Sequence, residues 1–372
     1  MTTQPESTDG SEANVLAEAN VFAEANVIAE PNVIARKDGR VGRVTLNRPR
    51  AINALDHAMV RRLDAVLADW AEDDEVAAVV ITGAGERGLC AGGDIRFFHD
   101  DAKLGGAAAR AFFRDEYRLN HRIARYPKPY VAVMDGLTLG GGVGVSAHGS
   151  VRIVTERSSV GMPETTIGFV PDVGGSWLLA HAPGELGTHL ALTAALMTGA
   201  DAIACGFADH YLSTDRLAAF TAALATVEPA HAVAEFAVPA PPSELAAQRG
   251  WIDHCYAPDT VEEILDRLRD AGLPEAKEAA EQIAAKSPTA LKVTLAALRR
   301  ARRLPSLEAA LDQEFRVSWT GLDLAELIEG VRAQVIDKDR TPHWSPATLA
   351  AVDPATVDRH FTHLGENELG LA

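Results

Sequence analysis

Cysteine is scarce in this sequence, whose 372 residues contain only Cys90, Cys205 and Cys255. These residues lie far apart and form neither a CxxC pair nor a metal-ligand spacing, so we expect reduced, buried thiols rather than a disulfide framework. The histidines lack the HExxH and HxxxH spacings of zinc enzymes. The sequence therefore predicts no metal site.

Positive charge and long apolar runs are also in short supply. The chain carries 35 basic and 52 acidic residues, a formal net charge of -17, which opposes binding to a phosphate backbone and argues against a nucleic-acid partner. No apolar run is long enough to span a bilayer, and the opening MTTQPESTDGSE is acidic rather than arginine-rich. We therefore expect a cytoplasmic protein without a membrane partner. A small phosphorylated ligand is still compatible, because it responds to the local field of its own cleft.

The sequence divides into three parts. Residues 12–35 repeat a hexad in four copies, EANVLA, EANVFA, EANVIA and EPNVIA. We interpret residues 1–31 as a mobile extension, and the last copy of the hexad runs into the first strand. Residues 32–245 are predicted to form the core, and residues 246–372 a helical C-terminal region, with the proline-rich VPAPPSE before the division.

Strand and helix patterns alternate in the core. VGRVTLN and EVAAVVITG predict strands on either side of a helix over residues 56–72. A helix over residues 107–126, the strand KPYVAVMDG and a helix beginning in GGGVGVSAHG follow, and past residue 185 only amphipathic helices are predicted. The fold class is therefore α/β with parallel strands, in which the loops at strand ends are available for a site.

Two glycine-rich turns follow predicted strands: LCAGGDIR, residues 89–96, and GLTLGGGVG, residues 136–144. Neither matches the phosphate-binding pattern GxxxxGK[ST]. Each turn alone also fits a simple strand-to-helix connection. Two such turns, however, can direct backbone N–H groups at one oxygen, as a thioester carbonyl requires when it becomes an oxyanion or an enolate.

An acidic segment follows, MPETTIGFVPDVGG, in which Glu164 and Asp172 lie eight residues apart across a turn. Two carboxyl groups on one loop can reach one site, and partial burial would raise their pKa values toward those of acid–base or nucleophilic groups. In the alternative interpretation they are solvated loop acids, with Glu164 capping the next helix.

Ser146 and His148 are weaker candidates for a hydrolytic triad. The sequence has no GxSxG elbow, and Ser146 falls inside the helix predicted after the glycine triplet rather than on an exposed turn. We therefore predict packing roles for both residues.

Together, the two turns and the acidic segment resemble the crotonase superfamily. The resemblance implies a spiral core of repeated ββα units with a C-terminal helical layer. It implies an oxyanion hole from the N–H groups of Gly93 and Gly141, catalytic roles for Glu164 and Asp172, and a contact between the Ala91 carbonyl and the adenine of coenzyme A. Gly141, Glu164 and Asp172 would also contact the substrate. It implies a homo-oligomer, a trimer or a hexamer, and no cofactor, since coenzyme A is part of the substrate.

Within the superfamily, two positions differ from the enoyl-CoA hydratases. Those enzymes carry a second catalytic glutamate where this chain has Gly144, and a small residue where it has Asp172. From Val41 to Gly365 the chain is more similar to the 3-hydroxyisobutyryl-CoA hydrolases, whose helix resembles FFRDEYRLN. By that resemblance Glu116 contacts the substrate, through the substrate hydroxyl.

The tail segments SPTALKVTL, QEFR, EGVRA and IDKDRTPHW also resemble those hydrolases. Asp337, Lys338 and Asp339 in the last of them are predicted either to fasten the tail through a buried ionic network or to bind ligand. We assign them no catalytic role.

The resemblance thus implies hydrolysis of a short hydroxyacyl-CoA, 3-hydroxyisobutyryl-CoA to 3-hydroxyisobutyrate and coenzyme A, as in valine catabolism. One alternative is hydration or isomerisation of an enoyl-CoA at the same oxyanion hole, and Gly144 and the tail argue against it. A non-catalytic CoA-binding protein is the other, and Glu164 and Asp172 argue against that. Whether Glu164 attacks the carbonyl or activates water stays open.

Overall fold

A computed structural model describes residues 31–372. The predicted N-terminal extension lies outside the described residues apart from Pro31. Asn32–Ala372 form one compact unit, and the division predicted between residues 245 and 246 stays a prediction.

Most strands are short and come in pairs along the chain. In order, β1 to β10 are Val33–Asp38, Val41–Leu46, Ala78–Gly83, Gly88–Cys90, Tyr130–Met134, Leu137–Leu139, Val151–Val154, Ser159–Gly161, Met197–Thr198 and His210–Tyr211. Within the described chain, β1-β2-β3-β5-β7-β10 form a six-stranded sheet and β4-β6-β8-β9 a four-stranded one. The first hairpin is antiparallel, and β2, β3, β5 and β7 run parallel in the large sheet.

The strand order creates a spiral. In each of the pairs β3–β4, β5–β6 and β7–β8, the first strand joins the large sheet and the second joins the small one. Because the pairs stack in parallel, each turn of the spiral brings the end of its second strand to the same side of the small sheet. This confirms the predicted spiral of ββα units, and it stacks the two glycine-rich turns next to each other.

The α-helices of the described residues are His57–Ala71, Ile95–Ala102, Ala107–Ala124, Gly141–Gly144, Gly175–His181, Leu186–Thr193, Gly199–Ala204, Leu217–Ala223, Pro229–Phe236, Glu244–Ala247, Arg249–Tyr256, Val261–Asp270, Pro274–Ala284, Pro288–Ala301, Leu307–Gly321, Ala325–Val331 and Pro354–Arg359. The C-terminal half is mainly helical, as predicted.

The first of these helices shows how local sequence positions the core. Asp56 caps it by accepting a hydrogen bond from the Met59 N–H at 2.8 Å. Its apolar residues recur every three or four positions, and Met59, Leu63 and Trp70 are buried in the main core. Each such side chain contributes roughly 1.5–3 kcal/mol of transfer free energy.

Two details differ from the sequence-based predictions. The helix after the glycine triplet is only Gly141–Gly144, so Ser146 lies in a turn rather than in a helix. Glycine is a poor helix former, and three of these four residues are glycine. Past residue 185 the chain also contains Met197–Thr198 and His210–Tyr211, strands of two residues that are too short to show an alternating pattern.

Candidate active site

A cavity of about 230 Å³ opens at the ends of β4, β6 and β8. Its lining includes each residue that the sequence singled out for the site: Ala91, Gly93, Glu116, Gly141, Glu164 and Asp172. Most of the remaining lining is apolar, with Phe98, Phe113, Phe169 and Leu327 among its side chains. The spiral therefore gathers the predicted residues around one partly enclosed, largely apolar pocket.

The two glycine-rich turns meet at this pocket. Gly93 and Leu55 form a parallel β-bridge. Its two hydrogen bonds are made by the residues on either side of Gly93: Leu55 N–H donates to Gly92 O at 2.8 Å, and Asp94 N–H donates to Leu55 O at 2.9 Å. In a parallel bridge of this kind, the N–H of Gly93 itself points away from Leu55. Gly141 is the first residue of its helix, so its N–H has no acceptor within that helix.

Close backbone approach explains why glycine occupies these turns. A β-carbon added to Gly141 would lie 2.6 Å from Glu116 Oε1 and 3.3 Å from Gly93 N. One added to Gly140, whose φ is +48°, would lie 2.6 Å from Glu164 Oε1. Side chains here would fill the space between the backbone of the two turns and the carboxyl groups of Glu116 and Glu164.

Glu164 begins a short 3-10 helix, Glu164–Ile167, just after β8. Its side chain is buried, and Oε2 has no hydrogen-bond partner within the described residues. Burial raises the pKa of Glu164 well above its ordinary range, and the nearby charge of Asp172 adds to the effect. An unpaired carboxyl group with a raised pKa is suited to proton transfer or to attack on a carbonyl.

Asp172 lies on the loop before the helix Gly175–His181. Burial raises its pKa to about 7, although the hydrogen bond from Tyr117 lowers it. The Tyr117 hydroxyl donates to Oδ2 of Asp172 at 2.5 Å. At neutral pH this carboxyl group can therefore both accept and release a proton.

Glu116 projects from the helix Ala107–Ala124 and is also buried, with Oε1 unpaired within the described residues. Burial raises its pKa well above the ordinary value, and the Asp172 charge contributes. A buried polar oxygen without a partner is costly, which suits it to accept a ligand hydroxyl.

Three polar residues near Asp172 were not predicted as site residues: Tyr117, Ser318 and Glu314. Tyr117 and Glu314 fall inside FFRDEYRLN and QEFR, which carried the resemblance, but no spacing of residue types distinguishes them there. Their importance follows from contacts across the fold.

Gly144, the position at which the resemblance to the hydratases implies a glutamate, leaves no room for a side chain unless its neighbours shift. A β-carbon there would lie 2.8 Å from Asn120 Nδ2 and 2.8 Å from Val173 Cβ. Asn120 and Val173 are both buried. The second acid of this pocket therefore comes from the loop of Asp172 and not from the helix of Gly144.

Replacing Gly144 with Ala is expected to destabilise the fold by about 1–3 kcal/mol, because the new methyl group overpacks Asn120 and Val173. Chemical unfolding measures the change. Gly250→Ala is the matched control, since Gly250 lies in a helix with nothing within 4 Å of an added β-carbon. The control should be neutral or stabilising by about 0.5–1 kcal/mol. Equal effects of the two substitutions would contradict the steric explanation.

Ser146, His148 and Cys90 have structural contacts. The Ser146 hydroxyl donates to Gly142 O at 2.6 Å, and His148 Nε2 lies 2.8 Å from Val173 O, with its pKa lowered by burial to about 4. Cys90 is fully buried, and burial raises its pKa to about 12. Cys90, Cys205 and Cys255 are all free and buried, as predicted.

The tail residues do form an ionic network, but the prediction that this network is buried is wrong. Arg332 does contact Asp337 and Asp339, each at 2.7 Å, but the side chains of these acids are 52% and 41% exposed. Arg332 belongs to the π-helical segment Arg332–Ile336 and also contacts Glu329 at 2.8 Å. The network lies at the surface, where ion pairs stabilise a fold only modestly.

Two other features are absent from residues 31–372. No helix there is long and apolar enough to cross a membrane. No cluster of His, Cys, Asp and Glu side chains in the same residues is arranged to hold a metal ion. The expectation that the reaction uses no metal stays a prediction.

Comparison with known proteins places the chain in a family. The family model for enoyl-CoA hydratase/isomerase matches residues 41–361. The chain is 40% identical to the 3-hydroxyisobutyryl-CoA hydrolase, mitochondrial, of Danio rerio, with 90% of each chain covered. It is 38% identical to the human protein of the same name, with 90% of this chain and 89% of the human one covered.

Solved structures extend the comparison to bacteria. A crystal structure described as a carnitinyl-CoA dehydratase from Mycobacterium thermoresistibile is 53% identical, with a TM-score of 0.89 and coverage of 91% of this chain and 98% of that one. One described as an enoyl-CoA hydratase from Rhodobacter sphaeroides is 43% identical, with a TM-score of 0.87 and coverage of 91% and 99%. The matched residues and these identities show that the chain belongs to the crotonase superfamily, in the family of the 3-hydroxyisobutyryl-CoA hydrolases.

Proposed function

We propose that this protein hydrolyses 3-hydroxyisobutyryl-CoA to 3-hydroxyisobutyrate and coenzyme A. The observation that carries the proposal is the pairing of Glu164 and Asp172 in one pocket with the two glycine N–H donors, while position 144 is closed. This arrangement supplies an oxyanion hole and two titratable acids on one side of a carbonyl. The hydrolase relatives, at 38–40% identity over most of the chain, support the same reaction.

In the proposed reaction, the thioester carbonyl oxygen accepts hydrogen bonds from the N–H groups of Gly93 and Gly141. These fixed dipoles stabilise the negative charge that forms on the oxygen when the carbonyl carbon is attacked. The apolar lining strengthens that interaction by excluding water from the rest of the pocket.

Two routes use the same acids. In one, the Glu164 carboxylate attacks the carbonyl carbon, the C–S bond breaks, and water then cleaves the mixed anhydride. In the other, Glu164 takes a proton from the water that attacks the carbonyl directly. In both, the departing thiolate of coenzyme A takes up one proton, and Asp172, with a pKa of about 7, is suited to positioning the water or moving that proton.

Substrate choice is expected to depend on the hydroxyl group. If the unpaired Oε1 of Glu116 accepts the substrate hydroxyl, kcat/KM for 3-hydroxyisobutyryl-CoA should exceed that for isobutyryl-CoA, because isobutyryl-CoA leaves this buried oxygen unsatisfied at a cost in free energy. That cost is about 1–3 kcal/mol, or roughly 5- to 150-fold. Release of free thiol, measured for both substrates, tests the expectation.

Glu116→Ala should narrow the preference, mainly by slowing the hydroxylated substrate. Glu326→Ala is the matched control, because Glu326 is likewise buried with an unpaired Oε1 but does not line the pocket. Equal rates of the wild type on both substrates would show that Glu116 has only a structural role in its helix. The protein would then be an acyl-CoA hydrolase of different specificity.

Hydration or dehydration of an acyl-CoA is the second candidate, because two structures similar to this chain are described as a dehydratase and a hydratase. The steric closure of position 144 disfavours it. We expect release of thiol from 3-hydroxyisobutyryl-CoA and no loss of enoyl absorbance with crotonyl-CoA. The opposite pair of results would favour the second candidate.

The reaction is proposed to need no metal or redox cofactor, so activity should survive dialysis against a chelator.

A homo-oligomer, a trimer or a hexamer, is proposed from the family resemblance, and light scattering would measure its mass. The proposed location is cytoplasmic, whereas the vertebrate relatives are named as mitochondrial, and cell fractionation decides between the two.

A further inference from the structure

Tyr117 links the pocket to the C-terminal helical layer. It follows Glu116 on the helix Ala107–Ala124 and is fully buried. Its ring lies 6.0 Å from that of Phe113 and 6.0 Å, edge to face, from that of Phe315. With the ring packed between two aromatic side chains, its hydroxyl has a fixed position.

The hydroxyl of Tyr117 has two partners. It lies 2.5 Å from Asp172 Oδ2 and 2.7 Å from Ser318 Oγ, and all three residues are buried. The Asp172 carboxylate only accepts, so Tyr117 donates its one proton to it, and Ser318 must then donate to the Tyr117 oxygen. The result is a directional chain from Ser318 through Tyr117 to Asp172.

The same C-terminal helix, Leu307–Gly321, holds the other side of the Asp172 loop. Glu314, one turn before Ser318, accepts from Gly174 N–H at 2.6 Å and from Ser176 N–H at 2.9 Å. Between Asp172 and Gly174, Val173 has a φ of 52°, a left-handed conformation that a β-branched residue rarely adopts. Contacts from the helix therefore maintain a strained loop at the pocket.

We propose that Tyr117 and Ser318 are positioning residues for catalysis. They hold Oδ2 of Asp172 through hydrogen bonds, so that the ionised Asp172 carboxylate presents its other oxygen, Oδ1, to the substrate. The C-terminal helix thereby becomes part of the catalytic machinery. The proposal deepens the proposed function, because it rests on a role for Asp172 in the reaction.

The charges around Asp172 fix the direction of the effect. The acids that face it are Glu116 from the helix of Tyr117, Glu164 from the 3-10 helix and Glu314 from the C-terminal helix. Each of them, when ionised, opposes ionisation of Asp172, while the Tyr117 hydrogen bond favours it. Removing the hydroxyl must therefore raise the pKa of Asp172.

Tyr117→Phe is the test. The inflection that Asp172 causes in the pH–rate profile is identified by its absence from Asp172→Asn. In Tyr117→Phe this inflection should lie about 1 pH unit higher than in the wild type, the size expected for loss of a hydrogen bond to a charged group. Because the proposal requires the ionised carboxylate, kcat at pH 7 should fall about fivefold and recover at higher pH, with KM little changed. Ser318→Ala should produce a smaller shift in the same direction.

Tyr256→Phe is the matched control, since Tyr256 is also fully buried and its hydroxyl lies 2.9 Å from His189 Nδ1, away from the pocket. It should lose stability without any change in the profile. Unfolding measurements on both variants separate a folding defect from a positioning defect.

The pKa of Asp172 can also be followed without turnover, by carbon NMR of aspartate labelled at the carboxyl carbon and assigned by Asp172→Asn. An upward shift in Tyr117→Phe supports the positioning role whichever acyl-CoA the enzyme uses. A wild type that leaves 3-hydroxyisobutyryl-CoA intact would overturn the proposed function alone. An unchanged pKa in a folded Tyr117→Phe variant would overturn the positioning role alone.

Discussion

Replacing Glu164 with Gln is expected to lower kcat by at least ~100-fold, the usual contribution of a positioned acid, base or nucleophile. The amide has the same size as the carboxyl group but cannot take up a proton or attack a carbonyl. Glu164 is buried with an unpaired Oε2, and burial disfavours its ionised form, so the amide should leave the melting temperature unchanged or raise it. Release of thiol and thermal unfolding measure the two effects.

Glu326→Gln is the control for this experiment. Glu326 is also buried with one unpaired oxygen, and burial raises its pKa to about 7, but it does not line the pocket. Its substitution should leave kcat nearly unchanged. A Glu164→Gln variant with near wild-type hydrolysis would remove Glu164 from the mechanism. After turnover in water enriched in heavy oxygen, label in the Glu164 carboxylate would identify an anhydride that water cleaves at the Glu164 carbonyl carbon.

Asp172→Asn is the second substitution with a large expected effect, again a loss of about 100-fold in kcat. The amide oxygen can still accept the Tyr117 hydroxyl, so the loop should keep its conformation. The wild-type rate should change as the pH passes through about 7, where Asp172 titrates, and this inflection should be absent from the variant. A variant that keeps both the rate and the inflection would assign the titration to another group.

The double variant tests whether Glu164 and Asp172 act in one step. Residues that act as a unit are not additive, so the double variant should be little slower than the slower single variant. Losses that multiply would place the two acids in separate steps. This comparison bears on the mechanism directly, since the two acids already interact electrostatically in the pocket.

The position of the second acid along the chain distinguishes this pocket from the one that the resemblance implies for the hydratases. There the second acid follows the glycine triplet, and here Asn120 and Val173 occupy the space beside Gly144. The acid of the Asp172 loop is instead held by the Tyr117 hydrogen bond and by the contacts of Glu314 with the same loop. In this chain, contacts from the C-terminal helix thus help to hold the Asp172 loop.

Local sequence determined much of the fold and brought the candidate site residues into view. The alternation of strands and helices predicted parallel pairing, and the glycine turns with Glu164 and Asp172 implied a thioester-processing pocket through their resemblance to the crotonase superfamily. These features are short-range: a turn needs glycine because of its own φ or its close neighbours, and a helix needs apolar residues every three or four positions. Such requirements are written in consecutive residues, which is why the sequence carries them.

Only the tertiary structure decided how those acids are tuned. Tyr117 is 55 residues from Asp172 and 201 residues from Ser318 along the chain, yet the hydroxyl of one contacts both of the others. Likewise, the surface location of Asp337 and Asp339 depends on what the tail packs against, and not on its own residues. Burial and hydrogen bonding set a pKa, and both depend on neighbours that folding brings from distant segments, so no local pattern records them.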